Sequence, residues 1–243
     1  MMTQEAPRSE AGRSCVYELD RMSFGYYTTT PALRDLSFRI HTGEKVAVVG
    51  ANGVGKTSLL KVLAGQLMPS SGGFLAFGSP VGTKASPSGS SFKKQVALVT
   101  SHFETTLSEG QRKRVSLWAM LSLLPPVILL DEPMSGLDGP GRQWFLGALK
   151  ELRASDKTII VGTYDLVFAE LAGDRMLLLG EDHRLLADGP TRTLLKDTAL
   201  LVRAGLLHEH VHTHGGTTHS HYHQSLSHPW DDEHHPGDHD EQG

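Results

Sequence analysis

The stretch VAVVGANGVGKTSLL carries Gly50, Gly55, Lys56 and Thr57 in the spacing Gly-x4-Gly-Lys-Thr. A buried-strand pattern precedes it and a helical pattern follows, which is the context a phosphate-binding loop requires. Glycines let backbone N–H groups wrap phosphate oxygens, helped by the positive end of the following helix. A lysine here reaches β- and γ-phosphates, and the Thr57 hydroxyl is placed for Mg²⁺. The expected nucleotide cradle is Gly50, Ala51, Asn52, Gly53, Val54, Gly55, Lys56, Thr57 and Ser58. A glycine-rich turn that binds nothing would not need the strand, the spacing, the lysine and the threonine together.

A second chemistry-bearing run is VILLDEP, four apolar residues leading into Asp131 and Glu132. An acid at the carboxyl end of a buried strand meets the ligand crevice of an open α/β sheet. Asp131 is expected to hold Mg²⁺, usually through water, and Glu132 to polarise an attacking water; Lys56 and Glu132 form the expected catalytic pair. A GTPase would share the loop but needs Asn/Thr-Lys-x-Asp to read guanine. The only asparagine is Asn52, inside the loop, and after Thr83-Lys84 the aspartate position holds Ser86. The sequence therefore lacks the means to read guanine.

The elements that must position these residues follow from pattern. SCVYELDRMSFGY and ALRDLSFRIHTGEKVAVVG read as strands, the second ending in a continuous apolar run that suits a buried parallel strand. A helix is predicted from about Lys56 to Gly65, then strands in GGFLAFG and QVALVT, with the Ser/Gly/Pro-rich loop SPVGTKASPSGSS between them. EGQRKRVSLWAMLSLL reads as a helix, VILLD and TIIVGT as buried strands around a helix near 140–154, and RMLLLG with HRLLADG as a hairpin. Strands alternating with helices predict an α/β sandwich around a mostly parallel sheet.

The 243 residues suit one or two domains with a sizeable core. Seven acids and no lysine or arginine follow His208, so residues 1–207 are near balance, with 23 bases against 20 acids. No clustered basic face points to nucleic acid. The single Cys15 excludes an internal disulfide and fits a reducing compartment. The first fourteen residues lack the apolar core of a signal peptide and are expected to be disordered. VSLWAMLSLLPPVILL is broken by Pro125 and Pro126 and is too short to span a bilayer. The chain is expected to reach a membrane only through partners.

The run LSEGQRKRVSLWAMLSLLPPVILLDEPMSGLD resembles the signature-to-D-loop sequence of ATP-binding-cassette (ABC) ATPases, and the resemblance covers about residues 16–207. It implies a P-loop NTPase core with an added antiparallel β part, hydrolysing MgATP as a dimer, homo- or hetero-. It also implies that Ser108, Glu109, Gly110 and Gln111 form the signature that closes over nucleotide on the opposite subunit. Asp138 of SGLD works across the same dimer, and Tyr26 of SFGYY matches the aromatic residue that stacks on adenine, with Tyr27 the lesser choice. Glu109, the segment LLADGPTRTLLKDTALLVRAGLL and the histidine-rich end resemble cobalt/nickel importers of the energy-coupling-factor type. In those systems peripheral ATPases power a membrane subunit from the cytoplasmic face of the cell membrane.

Departures from that pattern fall at coupling and turnover. Ser101 stands where the family has a glutamine that senses Mg²⁺, and only HFETT separates it from Leu107, where a helical subdomain normally lies. Tyr164 replaces the histidine that contacts the γ-phosphate; a phenol with a pKa near ~10 stays neutral at pH 7 and cannot become an imidazolium. A sister ATPase that supplies what is missing, a decayed copy, and a nucleotide-binding regulatory partner all fit these losses.

Eleven of the 14 histidines fall within residues 208–243. They are interleaved with Thr, Glu, Val and Ser, unlike the unbroken run of a tag. His208, His210, His212, His214, His219, His221 and His223 are candidate ligands for Ni²⁺, Co²⁺ or Zn²⁺, since largely neutral imidazoles at alternating positions fall on one side of an extended chain. The segment 208–243 is polar enough to be expected as a disordered tail beside the nucleotide-binding domain, residues 15–207.

Overall fold

The structure, a computed structural model, describes residues 13–27, 30–82, 92–100, 125–214 and 217–224, with backbone only from residue 208 onward. The predicted signature helix, Ser101 and the segment that replaces the helical subdomain lie outside the described residues.

Strands β1 (Cys15–Tyr27), β2 (Thr30–His41), β4 (Ser71–Ala76) and β5 (Ser79–Pro80) form an antiparallel sheet in the order β2-β1-β4-β5. Its two long strands do not run flat. Register shifts interrupt the β1–β2 pairing, and Arg21 and Asp35 adopt positive φ at those irregularities. Bulges of this kind bend a strand and raise its twist, so the sheet can wrap a convex core.

The second sheet holds β3 (Lys45–Val49), β6 (Val96–Val99), β7 (Val127–Asp131), β8 (Thr158–Thr163), β9 (Arg175–Leu179) and β10 (Leu185–Pro190) in the order β10-β9-β3-β8-β7-β6. All neighbours are parallel except β10, which pairs antiparallel with β9 as the predicted hairpin. Every residue of β3, β7 and β8 is buried, as continuous apolar runs require in a sheet covered on both faces.

Alternation sorts the side chains between two layers. Val46, Val48, Leu129, Ile160 and Leu177 face the antiparallel sheet and the helix Lys56–Leu63, whose Leu59, Leu60 and Leu63 are fully buried there. Ile128, Leu130, Ile159 and Val161 face the opposite way, onto Phe145, Leu149 and Leu152 of the helix Gly139–Ala154. Ala47, Val49, Met176 and Leu178 pack on Ala169 and on Leu201 and Leu206 near the end of the core. The helix after the loop is therefore clamped between two sheets, which fixes its amino end.

From Leu207 the chain forms a third, two-stranded sheet of β11 (Leu207–His214) and β12 (Thr217–Gln224). This corrects the expectation of a disordered tail over 208–214 and 217–224. The physical reason is local: alternating residues that include Val211, Thr213, Thr217 and Thr218 favour extended chain, and Gly215-Gly216 is the dipeptide composition that two-residue hairpin connections favour. Residues 225–243, and residues 1–12 of the predicted lead 1–14, lie outside the described residues. Among the described residues, no helix is long and apolar enough to cross a membrane.

Candidate nucleotide site

The loop Gly50–Ser58 leaves the carboxyl end of β3 and enters the helix Lys56–Leu63. Gly55 caps that helix with φ 110°, a backbone state that side chains rarely adopt, and an added Cβ would run into the Ala32 carbonyl oxygen. Gly50 is excluded from larger residues by packing, because a Cβ there would lie 2.9 Å from the Leu179 carbonyl oxygen. Val54 is buried, and its carbonyl lies 3.2 Å from His183 Nδ1, which ties the loop to the β9–β10 turn. Asn52 and Gly53 are exposed at the loop's tip.

Lys56 is buried to 6% exposure, with Nζ donating to the carbonyls of Gly50 at 2.8 Å and Ala51 at 3.0 Å. The same Nζ is 3.4 Å from Glu132 Oε1 and 5.8 Å from the centre of the Tyr164 ring. Burial pulls the lysine's pKa down, opposed by Glu132 and Asp131; burial also pushes the Glu132 carboxyl above its ordinary range, opposed chiefly by Lys56. Each charge is costly alone in this desolvated spot and is held by the other.

Thr57 Oγ1 donates to Asp131 Oδ2 at 2.7 Å, joining loop and strand end. Glu132, the next residue, adopts φ 44°, and its N–H bonds to the Gly162 carbonyl at 2.9 Å. A non-glycine residue in this left-handed region costs on the order of 1–3 kcal/mol and turns its side chain away from the strand's own alternation. That turn brings the carboxylate over Lys56, where Thr163 Oγ1 donates to Glu132 Oε2 at 3.3 Å.

Four predicted residues, Lys56, Thr57, Asp131 and Glu132, thus meet at the carboxyl ends of β3 and β7, with Tyr164 at their edge. Tyr26 stands beside them: its hydroxyl is 3.2 Å from Ser58 Oγ, and its ring, packed edge-on against Phe24, is half exposed. Tyr27 is more exposed. Asp138 has a task within its own chain, accepting from the Gly141 N–H at 2.8 Å to cap the helix Gly139–Ala154. Ser108, Glu109, Gly110 and Gln111 lie outside the described residues. His208, His210, His212, His214, His219, His221 and His223 lie on the hairpin, described by backbone alone; among the described residues no group of three or more His, Cys, Asp or Glu forms a metal cluster.

Sequence reasoning missed Gly162 and Thr163. A Cβ on Gly162 would lie 3.0 Å from Leu60 Cδ1 and 3.3 Å from Asp131 Oδ1, so the absence of a side chain lets β8 pass between the loop and the acid. The signal was a glycine inside an otherwise apolar strand, which marks close approach of a neighbour. A cleft of about 670 Å³ lined by Arg39, His41, Glu44 and Arg175 lies at the other end of β3. Its Arg175 is committed to Asp188 and Glu44, which suits a structural junction.

The chemistry of the donors fits MgATP. The buried ammonium beside loop carbonyls suits phosphate oxygens, and a hydroxyl paired with a carboxylate offers the hard oxygen ligands Mg²⁺ takes. Comparison with known proteins agrees with this chemistry. The ABC transporter family profile matches residues 33–106. A protein of Caldanaerobacter subterraneus, provisionally named an ABC transporter ATP-binding protein, is 30% identical over 239 residues, covering 79% of this chain and 99% of that relative. The cobalt import ATP-binding protein CbiO of Rhodobacter capsulatus is 29% identical over 234 residues, covering 77% of this chain and 83% of that one. The solved structure of cbiO1 from Clostridium perfringens, part of the ABC transporter complex cbiONQ, superposes with a TM-score of 0.65 at 23% identity, covering 79% of this chain and 95% of that chain.

The chain belongs to the ABC transporter ATP-binding proteins. It is an ATPase.

The raised Glu132 carboxyl has a kinetic consequence. A base acts ionised, so kcat/KM for ATP should fall on the acid side at a pH above the ordinary glutamate range. The ionisation of ATP is common to all variants, so the difference from the residual profile of Glu132→Gln isolates the carboxyl. An identical acid limb in both would assign it to another group.

Proposed function

We propose that this chain is the ATP-binding subunit of an energy-coupling-factor type importer that takes up a divalent metal ion, cobalt or nickel. The observation that carries its motor function is the meeting of Lys56 with Glu132 and of Thr57 with Asp131 at two strand ends. Supporting the cargo are the identity with a cobalt import ATP-binding protein and the sequence features at Glu109 and after β10. The subunit works as a peripheral protein at the cytoplasmic face of the cell membrane.

The residues divide the work as follows. The loop N–H groups and Lys56 bind the phosphates, and Tyr26 offers its exposed ring to adenine. Thr57 and Asp131 would hold Mg²⁺, which neutralises charge on the β- and γ-phosphate oxygens when bound. Glu132 accepts a proton from the water that attacks the γ-phosphorus, as the bond to the ADP oxygen breaks and ADP and phosphate leave. Ser108 and Gly110 with the rest of the signature, Glu109 and Gln111, and Asp138 complete the site of a second ATPase subunit.

A second reading, a weakly hydrolytic regulatory partner of such a transporter, is favoured by one observation. Tyr164, a phenol in place of an imidazole, stands beside Lys56 where the family pattern has a histidine. Loss of one preorganised electrostatic contact typically costs on the order of 10²–10³ in rate. Tyr164→His should therefore raise the steady-state hydrolysis rate by up to roughly 10²-fold. A fall on this change would show that Tyr164 itself carries the contact.

Cargo and motor are tested together in cells that lack this chain. Their accumulation of radioactive Co²⁺ or Ni²⁺ should drop, return with the wild-type gene, and not return with Lys56→Ala, which deletes the ammonium in the phosphate cradle. Unchanged accumulation of both ions would reject the metal-import reading while leaving the ATPase intact.

A further inference from the structure

The histidines of β11 and β12 are not merely abundant; they are in register. His208 is opposite His223, His210 opposite His221, and His212 opposite His219. The alternate positions pair Glu209 with Tyr222, Val211 with Ser220 and Thr213 with Thr218, without a histidine. All six paired histidines therefore fall on one face of the hairpin, and the opposite face has none.

This arrangement depends on a parity change in the sequence. Within the two strands, histidines occupy even positions before Gly215-Gly216 and odd positions after it. Only a connection that pairs positions of opposite parity, as the two-residue one here does, opposes them. A slip of one residue would send one strand's set to the other face. A segment rich in histidine for solubility would have no need of this phase.

We propose that the hairpin is a binding site for divalent first-row transition ions, marked by three histidine pairs at directly opposed register positions. Directly opposed residues of antiparallel strands have Cα atoms roughly 4.5–5.5 Å apart. Successive same-face positions of one strand are roughly 6.8 Å apart at 3.4 Å per residue. Imidazole binds such ions at about 2.0–2.1 Å. The register therefore sets two histidines opposite one another at a spacing comparable to one ion's ligand shell, and two adjacent pairs bring four histidines together. Nitrogen donors of this kind suit Co²⁺, Ni²⁺, Cu²⁺ and Zn²⁺ and leave Mg²⁺ to the oxygen ligands of the nucleotide site. Leu207, which opens β11, packs against the domain's third core cluster, so the ions are held at the edge of the ATPase. The metal-import reading lends this site its setting, but the binding itself does not rest on it.

The test keeps composition fixed and changes pairing. Full-length protein is titrated with CoCl₂ and followed by visible absorption, comparing His208→Gln/His223→Gln with His208→Gln/His219→Gln. The first removes one pair and leaves two adjacent pairs. The second removes as many histidines but leaves a single intact pair. The first should keep a tight Co²⁺ site, and the second should bind roughly tenfold or more weakly, the scale on which changes around metal ligands act. ATP binding, unchanged in both, reports that the domain is folded. Equal affinities would mean that histidine number alone governs binding, and absence of Co²⁺ binding by the wild type would remove the site; either overturns the proposal. Neither outcome bears on hydrolysis or on import, which are measured without this titration.

Discussion

Thr57 and Asp131 are 74 residues apart in sequence and stand on strands that are not neighbours, since β8 runs between β3 and β7. Their 2.7 Å hydrogen bond therefore requires a strand that carries no obstacle at that level. Gly162 provides it, with Leu60, Asp131 and Lys56 crowding the place where its side chain would be. The rest of the architecture can be read from this constraint. Two sheets clamp the helix after the loop, the parallel order sets strand ends side by side, and the bulged outer sheet wraps the core that holds them. The fold brings Thr57 and Asp131 together by making a strand thin at one residue.

The electrostatics follow the same economy. Lys56 and Glu132 are both desolvated, so each shifts toward its neutral form and each restrains the shift of the other. Pairing offsets only part of that cost, and the left-handed backbone of Glu132 adds strain that packing must absorb. A site with these costs is poised for a ligand that brings its own negative charge. Phosphate oxygens can take the ammonium's attention from Glu132 and free the carboxylate for water.

What the sequence disclosed depended on how local each signal is. The loop residues Gly50–Ser58 are contiguous, and Asp131-Glu132 close an apolar run, so spacing and pattern sufficed to find them. Gly162, Thr163 and His183 act through space, across 31 residues from Glu132 or 129 from Val54, and nothing near them in sequence declares a partner. The order of the six strands was likewise a matter of contact rather than pattern, although their existence and buried character were legible. The tail shows the reverse failure. Its polarity argued for disorder, while the alternation and the Gly-Gly dipeptide carried a hairpin signal that composition obscured. Its histidine pairing emerges only when the register is known.

A single-turnover experiment bears most directly on the assignment of Glu132 as the base within an otherwise complete MgATP site. Wild-type protein and Glu132→Gln are each loaded with a small amount of radiolabelled ATP and Mg²⁺, and bound nucleotide is followed as ATP or ADP. The account predicts equal retention of nucleotide by both proteins, conversion to ADP by the wild type, and ATP that persists unhydrolysed in the variant. Conversion at the wild-type rate in Glu132→Gln would contradict it, because the carboxylate held over Lys56 would then take no part in the reaction.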